Sequence, residues 1–232
     1  MSVKSREPNA TRGRPTATRL KPRRSPVQER AKERTFKILD TAARLLEEVG
    51  IDNLTTILIA ERLKISVGSL YHYYPNKHAI LHALGAKWLQ EMTTTLAELE
   101  RLDIEALSLG EFIDEAVDRL VAVYKRQRAI LPLAQALWSI PDLRALDHEH
   151  DVMVIASMMR MFRRLGFRVT DNELNRLGRA WLETTHSLSL VIVEQHSVRA
   201  QRTTGDLKNM ALALLESHRG EDGHTTRTVE SP

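Results

Sequence analysis

Residues 55–77 read TTILIAERLKISVGSLYHYYPNK, and the spacing inside this stretch predicts two short helices joined at a tight turn. Thr55 and Thr56 are placed to cap the first, after which Ile59, Ala60 and Leu63 recur at the spacing of one packed face. Ala60 is small where two helices must cross closely. Ser66 is a good N-cap for the second helix, on which Val67, Leu70 and Tyr74 fall at i, i+3 and i+7 and face inward. Gly68, Ser69, His72 and Tyr73 are left facing out. A face meant only for solvent is normally rich in Lys and Glu, whereas this one mixes small residues, hydroxyls and rings, which suits close approach to a groove. Lys77 then opens the next helix, where unpaired backbone N–H groups would also meet a phosphate. Together these residues predict a surface that grips DNA.

The rest of the chain bounds what can stand behind such a surface. Its 232 residues, 42% of them hydrophobic, can bury a substantial core in two unequal domains. No run of about eighteen apolar residues occurs, and the basic N-terminus lacks an apolar h-region, so the reading is a cytoplasmic chain without a membrane span. With no cysteine, disulfides, thiolate nucleophiles and Cys-ligated zinc are excluded, and with them zinc-finger routes to DNA. The net charge of +4 conceals an asymmetry: residues 1–28 hold eight Lys or Arg and one Glu, or +7, which leaves about −3 for the remainder. A basic arm on a mildly acidic body points to a local polyanion contact.

Residues 1–28 carry Pro8, Pro15, Pro22 and Pro26 and almost no apolar periodicity, so disorder is expected there. From Glu29 a broad apolar stripe through Phe36, Leu39, Ala43 and Leu46, with Ile38, Ala42, Leu45 and Val49 beside it, predicts a helix of roughly twenty residues ended by Gly50. Asn76 caps a longer helix with its stripe through Leu81, Leu84, Trp88, Met92 and Leu99. Ser108 and Glu111 have capping-box form and open a helix through Phe112, Ala116, Leu120 and Tyr124. Pro132 sits early in a short apolar helix ending near Trp138, and Pro141 opens one that continues to Arg164 and stops at Gly166. Thr170 and Glu173 suggest a second capping box, with a helix running to about Val198, and a last helix is expected from about Asp206 to His218. Both carry apolar residues on several faces, more than one intrachain contact needs, and a twofold copy completing a four-helix bundle would use them. The class is all-α, with no strand-like alternation and a polar tail over 220–232.

At this point Thr55 to Leu81 resembles the DNA-binding region of the TetR (tetracycline-repressor-like) family, through Thr55, Ile59, Ala60, Ser66, Gly68, Leu70, Tyr71, Tyr73, Lys77 and Leu81. The resemblance implies an N-terminal three-helix helix-turn-helix domain over 29–75, with its motif at 55–74, and a helical regulatory and dimerisation domain over 76–219. It further implies that Ser66, Val67, Gly68, Ser69, His72 and Tyr73 lie in or beside the major groove, while Thr55, Thr56, Tyr71 and Lys77 hold phosphates. The implied partners are an operator duplex, a second copy through the last two helices, and a small-molecule effector in the C-terminal domain. Three departures stand out: Lys64 replaces the usual turn glycine, Ile65 a valine and Tyr74 a phenylalanine.

Outside the motif, Arg12-Gly13-Arg14-Pro15 resembles an AT-hook, which would place Arg12 and Arg14 in a narrow minor groove; diffuse phosphate attraction is the plainer reading. Asp147-His148-Glu149-His150-Asp151 has helical metal-ligand spacing, but such spacing is common on solvated helices, so no metal or other cofactor is expected. The candidate effector-lining residues are Trp88, Met92, Tyr124, Met158, Phe162, Trp181 and His186, with His186 as a polar anchor and the Met and Trp content favouring an apolar effector. The expected function is a homodimeric repressor of transcription. A ligand-independent architectural DNA binder is the first alternative, and an all-helical enzyme around His148 to Asp151 or His186 a distant second.

Overall fold

The N-terminal helix, α1 (Pro26–Asn53), buries Ile38, Ala42, Leu45 and Leu46 completely, but its regular path breaks at Gly50, whose φ of 73° lies in the left-handed region that glycine alone enters freely. Phe36 departs from the expected stripe: it is exposed, with the Lys87 ammonium 5.8 Å from its ring centroid. This chain is described by a computed structural model over residues 26–219 except position 128, so Arg12, Arg14 and the 220–232 tail lie outside the described residues.

Helix α2 (Thr56–Leu63) starts where the Thr55 hydroxyl accepts the Leu58 N–H at 3.1 Å, and it buries Ile59 and Ala60. It ends at Lys64, whose φ of 54° and ψ of 46° are left-handed, while the Ile65 N–H returns to the Ala60 carbonyl at 3.0 Å. The turn therefore needs the conformation for which glycine is suited, and a lysine holds it. Helix α3 (Val67–Tyr71) is only five residues long. The Ser66 hydroxyl accepts the Ser69 N–H at 3.1 Å, and Leu70 is driven wholly into the core.

Helix α4 (Lys77–Glu100) begins with the Asn76 carboxamide accepting the Ala79 N–H at 2.8 Å. Ile80, Leu81 and Leu84 are buried near its start and Trp88, Met92, Leu96 and Leu99 further along, and α4 packs on α1 as well as on the later helices. A complete capping box between Ser108 and Glu111 opens α5 (Leu109–Arg126). Then follow α6 (Ile130–Ser139), a 3₁₀ turn at Pro141–Leu143, α7 (Arg144–Arg164) and α8 (Asp171–Glu194), the last capped by Thr170. Helix α8 packs on α5 and α7, and at Gly178 an added Cβ would lie 3.3 Å from the Ile155 carbonyl oxygen of α7, so this crossing depends on a missing side chain.

One boundary differs from the expectation. The chain breaks at Gln195 and His196, both extended, and α9 (Ser197–Glu216) begins some nine residues before Asp206. Thr203 and Thr204, which read as loop, lie inside it. The Thr204 hydroxyl donates back to the Ala200 carbonyl at 2.7 Å, and Thr203 donates to the Gln195 carboxamide at 2.7 Å, which secures the break.

Among the described residues α1–α3 join the rest through α4 and through α6, which packs on α1. A polar contact adds to the second: the Glu47 carboxylate on α1 accepts the N–H of Ala129, the N-cap of α6, at 2.7 Å, and Ala129 itself is left-handed with a φ of 58°.

Because a non-glycine left-handed residue costs about 1 kcal/mol or more, Lys64→Gly is expected to raise unfolding stability by roughly 0.5–1 kcal/mol, once the added freedom of the unfolded chain is subtracted. Urea denaturation of both proteins reads this directly, and a fall in the midpoint would contradict it.

Candidate nucleic-acid interface and effector cavity

The outward face of α3 is the one its periodicity requires. With Leu70 buried and Val67 half-buried against the core, Gly68, Ser69, His72 and Tyr73 are exposed. The Ser66 and Ser69 hydroxyls lie 2.8 Å apart, and the His72 and Tyr73 rings meet edge to face at 6.4 Å. These residues and Ile65 line a concave surface of about 520 Å³, whose far side is Arg34 of α1. Sequence reasoning missed Arg34, because only the packing of α1 brings it opposite Ser66. It places a guanidinium, a strong phosphate and base-edge donor, beside the α3 face.

On the adjoining edge the Thr56 and Tyr71 hydroxyls lie 3.2 Å apart, so two of the residues expected to hold phosphate are neighbours. Thr55 uses an oxygen lone pair to cap α2, and its O–H remains a donor. Arg62 grips Glu48 through two bonds of 3.1 and 2.9 Å, which braces α2 against α1 and holds the Glu48 carboxyl below its ordinary range. Lys77 has a structural duty: it is half-buried and its ammonium donates to the Ile51 carbonyl at 2.9 Å, just beyond the Gly50 break. Any phosphate contact must use its remaining N–H bonds.

Of the expected effector-lining residues, the structure gathers Trp88, Tyr124 and His186 around a fourth ring, His150. Trp88 stacks on His150 at 4.5 Å, Tyr124 and His186 are 5.6 Å apart, and the Tyr124 hydroxyl is 2.6 Å from His186 Nδ1. Whichever group donates, His186 Nε2 is buried without a partner. Burial, and then the nearby His150, pushes the His186 pKa down to about 4, and burial raises that of Tyr124. Beside this cluster lies a small cavity of about 120 Å³ lined by Trp138, Asp147, Asp151 and Glu183 together with the two histidines and Leu182. Arg179 occupies Asp151 at 2.5 Å, and among the described residues no three His, Asp or Glu side chains form a metal-holding group. Met92 is buried in the core of α4, and Met158, Phe162 and Trp181 are wholly buried. Phe162 and Trp181 pack with Phe112 and Phe167 as core rings.

Residues 38–84 match the family described as bacterial regulatory proteins, tetR family, and residues 108–215 match the tetracyclin repressor-like C-terminal domain. The class G tetracycline repressor protein of Vibrio anguillarum is 44% identical over 57 residues, 25% of this chain and 27% of that protein. The chain thus spans about a quarter of the length of the tetracycline repressors it matches. The transcriptional regulator UidR of Escherichia coli is 23% identical over 193 residues, covering 82% of this chain and 96% of that one. Among solved structures, Salmonella enterica GusR has a TM-score of 0.61 at 19% identity, covering 83% of this chain and 98% of its own. A TetR transcription regulator from Haloarcula marismortui reaches 0.64 at 16% identity, covering 82% and 100%. At these identities the structural likeness is one of fold. No helix among the described residues is long and apolar enough to cross a membrane.

Lys77→Met keeps the aliphatic stem but leaves the Ile51 carbonyl without its donor, so a stability loss of about 1 kcal/mol is expected in urea denaturation, separate from any loss of DNA affinity. The depressed His186 gives a pH signature. The unfolded state takes up a proton below its ordinary value of 6.5 while the folded state resists until about 4, so stability is full near neutrality and falls across that window. His186→Gln, which keeps a partner for Tyr124, should flatten the fall in melting temperature between those pH values; an unchanged profile would assign it to other groups.

Proposed function

Since the chain belongs to the TetR family of bacterial regulatory proteins, we propose that it is a homodimeric, sequence-specific DNA-binding repressor of transcription, with α3 as its recognition helix and a small molecule as its releasing effector. The observation that carries this reading is the exposed α3 face of Gly68, Ser69, His72 and Tyr73, with Arg34 on one side and the Thr56–Tyr71 hydroxyl pair nearby. Ser69 and His72 read base edges, since each offers hydrogen bonds to a groove, while Thr55, Thr56, Tyr71, Arg34 and the free N–H bonds of Lys77 hold phosphates and set register. Arg12 and Arg14 add affinity that salt weakens.

The second copy docks through α8 and α9. Val191, Val198 and Met210 are exposed there, and Leu188, Leu190, Val193, Leu212 and Leu214 are only partly buried in one chain. A twofold pairing of two helices from each copy closes a four-helix bundle and sets two α3 helices apart, at about 34–36 Å for half-sites one turn apart. Residues 76–219 form the regulatory and dimerisation unit, and α4 carries its state to α1–α3. A coupling of about 1–3 kcal/mol changes operator affinity roughly five- to 150-fold, so effective release needs the upper part of that range.

A footprint across DNA flanking the coding region, repeated at two salt concentrations, tests the whole reading: a protected symmetric site is expected, and uniform salt-sensitive coating would favour an architectural binder instead. On that site His72→Ala or Ser69→Ala should relax discrimination at one base pair per half-site by about 1–3 kcal/mol. Arg34→Ala should instead weaken binding to all sequences alike and lower the salt slope by about one.

A further inference from the structure

The cavity between α7 and α8 is polar in a way a purely apolar effector does not explain. Three carboxylates, Asp147, Asp151 and Glu183, line it together with the rings of Trp138, His150 and His186. A single guanidinium, that of Arg179, serves two of the three, at 2.5 Å from Asp151 and 3.3 Å from Glu183. Among the described residues Asp147 has no Lys or Arg ion pair. Burial together with the charge on Asp151 holds its carboxyl above the ordinary carboxylate range, with His150 and the neighbouring Trp138 indole partly offsetting them. Trp138 is 54% exposed, a large ring standing at the edge of the cavity 5.7 Å from His186, and His186 Nε2 is buried there unsatisfied. An unpaired carboxylate drawn out of water beside aromatic faces is a costly arrangement without a ligand and a favourable one with a cation.

We infer that this cavity binds the head group of an organic cation, its ammonium paired with Asp147 and flanked by the Trp138 and His186 rings. The inference rests on the regulatory reading above and names the chemical class of the effector. An anion would meet three carboxylates, and a neutral apolar group would leave Asp147 unpaired. The volume of about 120 Å³ suits a head group, so the remainder of the ligand extends past Trp138 toward solvent. Met92 and Met158, on which the expectation of an apolar effector drew, are buried in the core and do not line this cavity.

The test titrates the full chain with three matched probes, benzylammonium, benzyl alcohol and benzoate, followed by tryptophan fluorescence and calorimetry. Benzylammonium is expected to bind at least about tenfold more tightly than the other two. Asp147→Asn, which keeps the side chain's shape but removes its charge, should abolish that preference while its ligand-free melting temperature stays level or rises; a purely structural Asp147 would lower it. Glu183→Gln, at an exposed side chain, should weaken benzylammonium binding by a smaller factor and guards against misfolding of the first variant. Equal binding of benzoate or the alcohol, undiminished benzylammonium binding by Asp147→Asn, or no saturable binding of any probe would overturn the inference. The operator footprint without any probe reports on the regulatory reading alone, so the two fail separately.

Discussion

A five-residue helix has no stability of its own, because helix nucleation fixes several residues before propagation returns anything. Helix α3 exists because its surroundings impose it: Ser66 ties down the Ser69 N–H, Leu70 is sealed in the core, and the left-handed turn at Lys64 sets the angle of entry. Arg62 and Glu48 then brace α2 on α1, and Lys77 holds the chain beyond Gly50 through the Ile51 carbonyl. Every outward side chain of α3 inherits its position from these few contacts. That also explains why an outward face of small and aromatic residues is affordable here, since the rigidity comes from the inward one.

Much of this was legible because caps are local. Thr55, Ser66, Asn76, Ser108 and Thr170 each bond a backbone N–H three residues on, so residue type and spacing suffice to find them. The positive φ at Lys64 was likewise visible as a departure from a turn that prefers glycine. The break between α8 and α9 was not, for the opposite reason. Gln195 and His196 carry no glycine or proline signal, no side chain caps α9, and the bond that secures the break comes from Thr203, a full two turns into the next helix.

The two candidate sites differ in the same way. The α3 face lies within one short segment and could be read from periodicity, whereas Arg34 reaches it from α1 through packing alone. The cation cavity draws Trp138 from α6, Asp147 and His150 from α7 and Glu183 and His186 from α8, so no window of sequence contains it. Asp147 to Asp151 in isolation looks like an ordinary solvated helix face. What changes its meaning is the rotation of α7, which buries His150 against Trp88 and brings Asp147 to the cavity that Trp138 also lines.

That ring cluster also includes residues of α4, which packs on α1, and of α5, which precedes α6. Trp88 belongs to α4, the helix that leaves the DNA-binding unit directly, and its ring stacks on His150. Tyr124 lies near the end of α5, and a few residues later the chain reaches Ala129, held left-handed while its N–H bonds Glu47 of α1. A left-handed alanine is tolerated only where its neighbours determine it, and here the Glu47 carboxylate holds its N–H. Coupling between distant sites requires an element with two discrete arrangements that both sites bias. In the proposed regulator α4, capped and regular along its path, is the element through which such a bias would pass, with the Ala129–Glu47 bond as a second contact beside it.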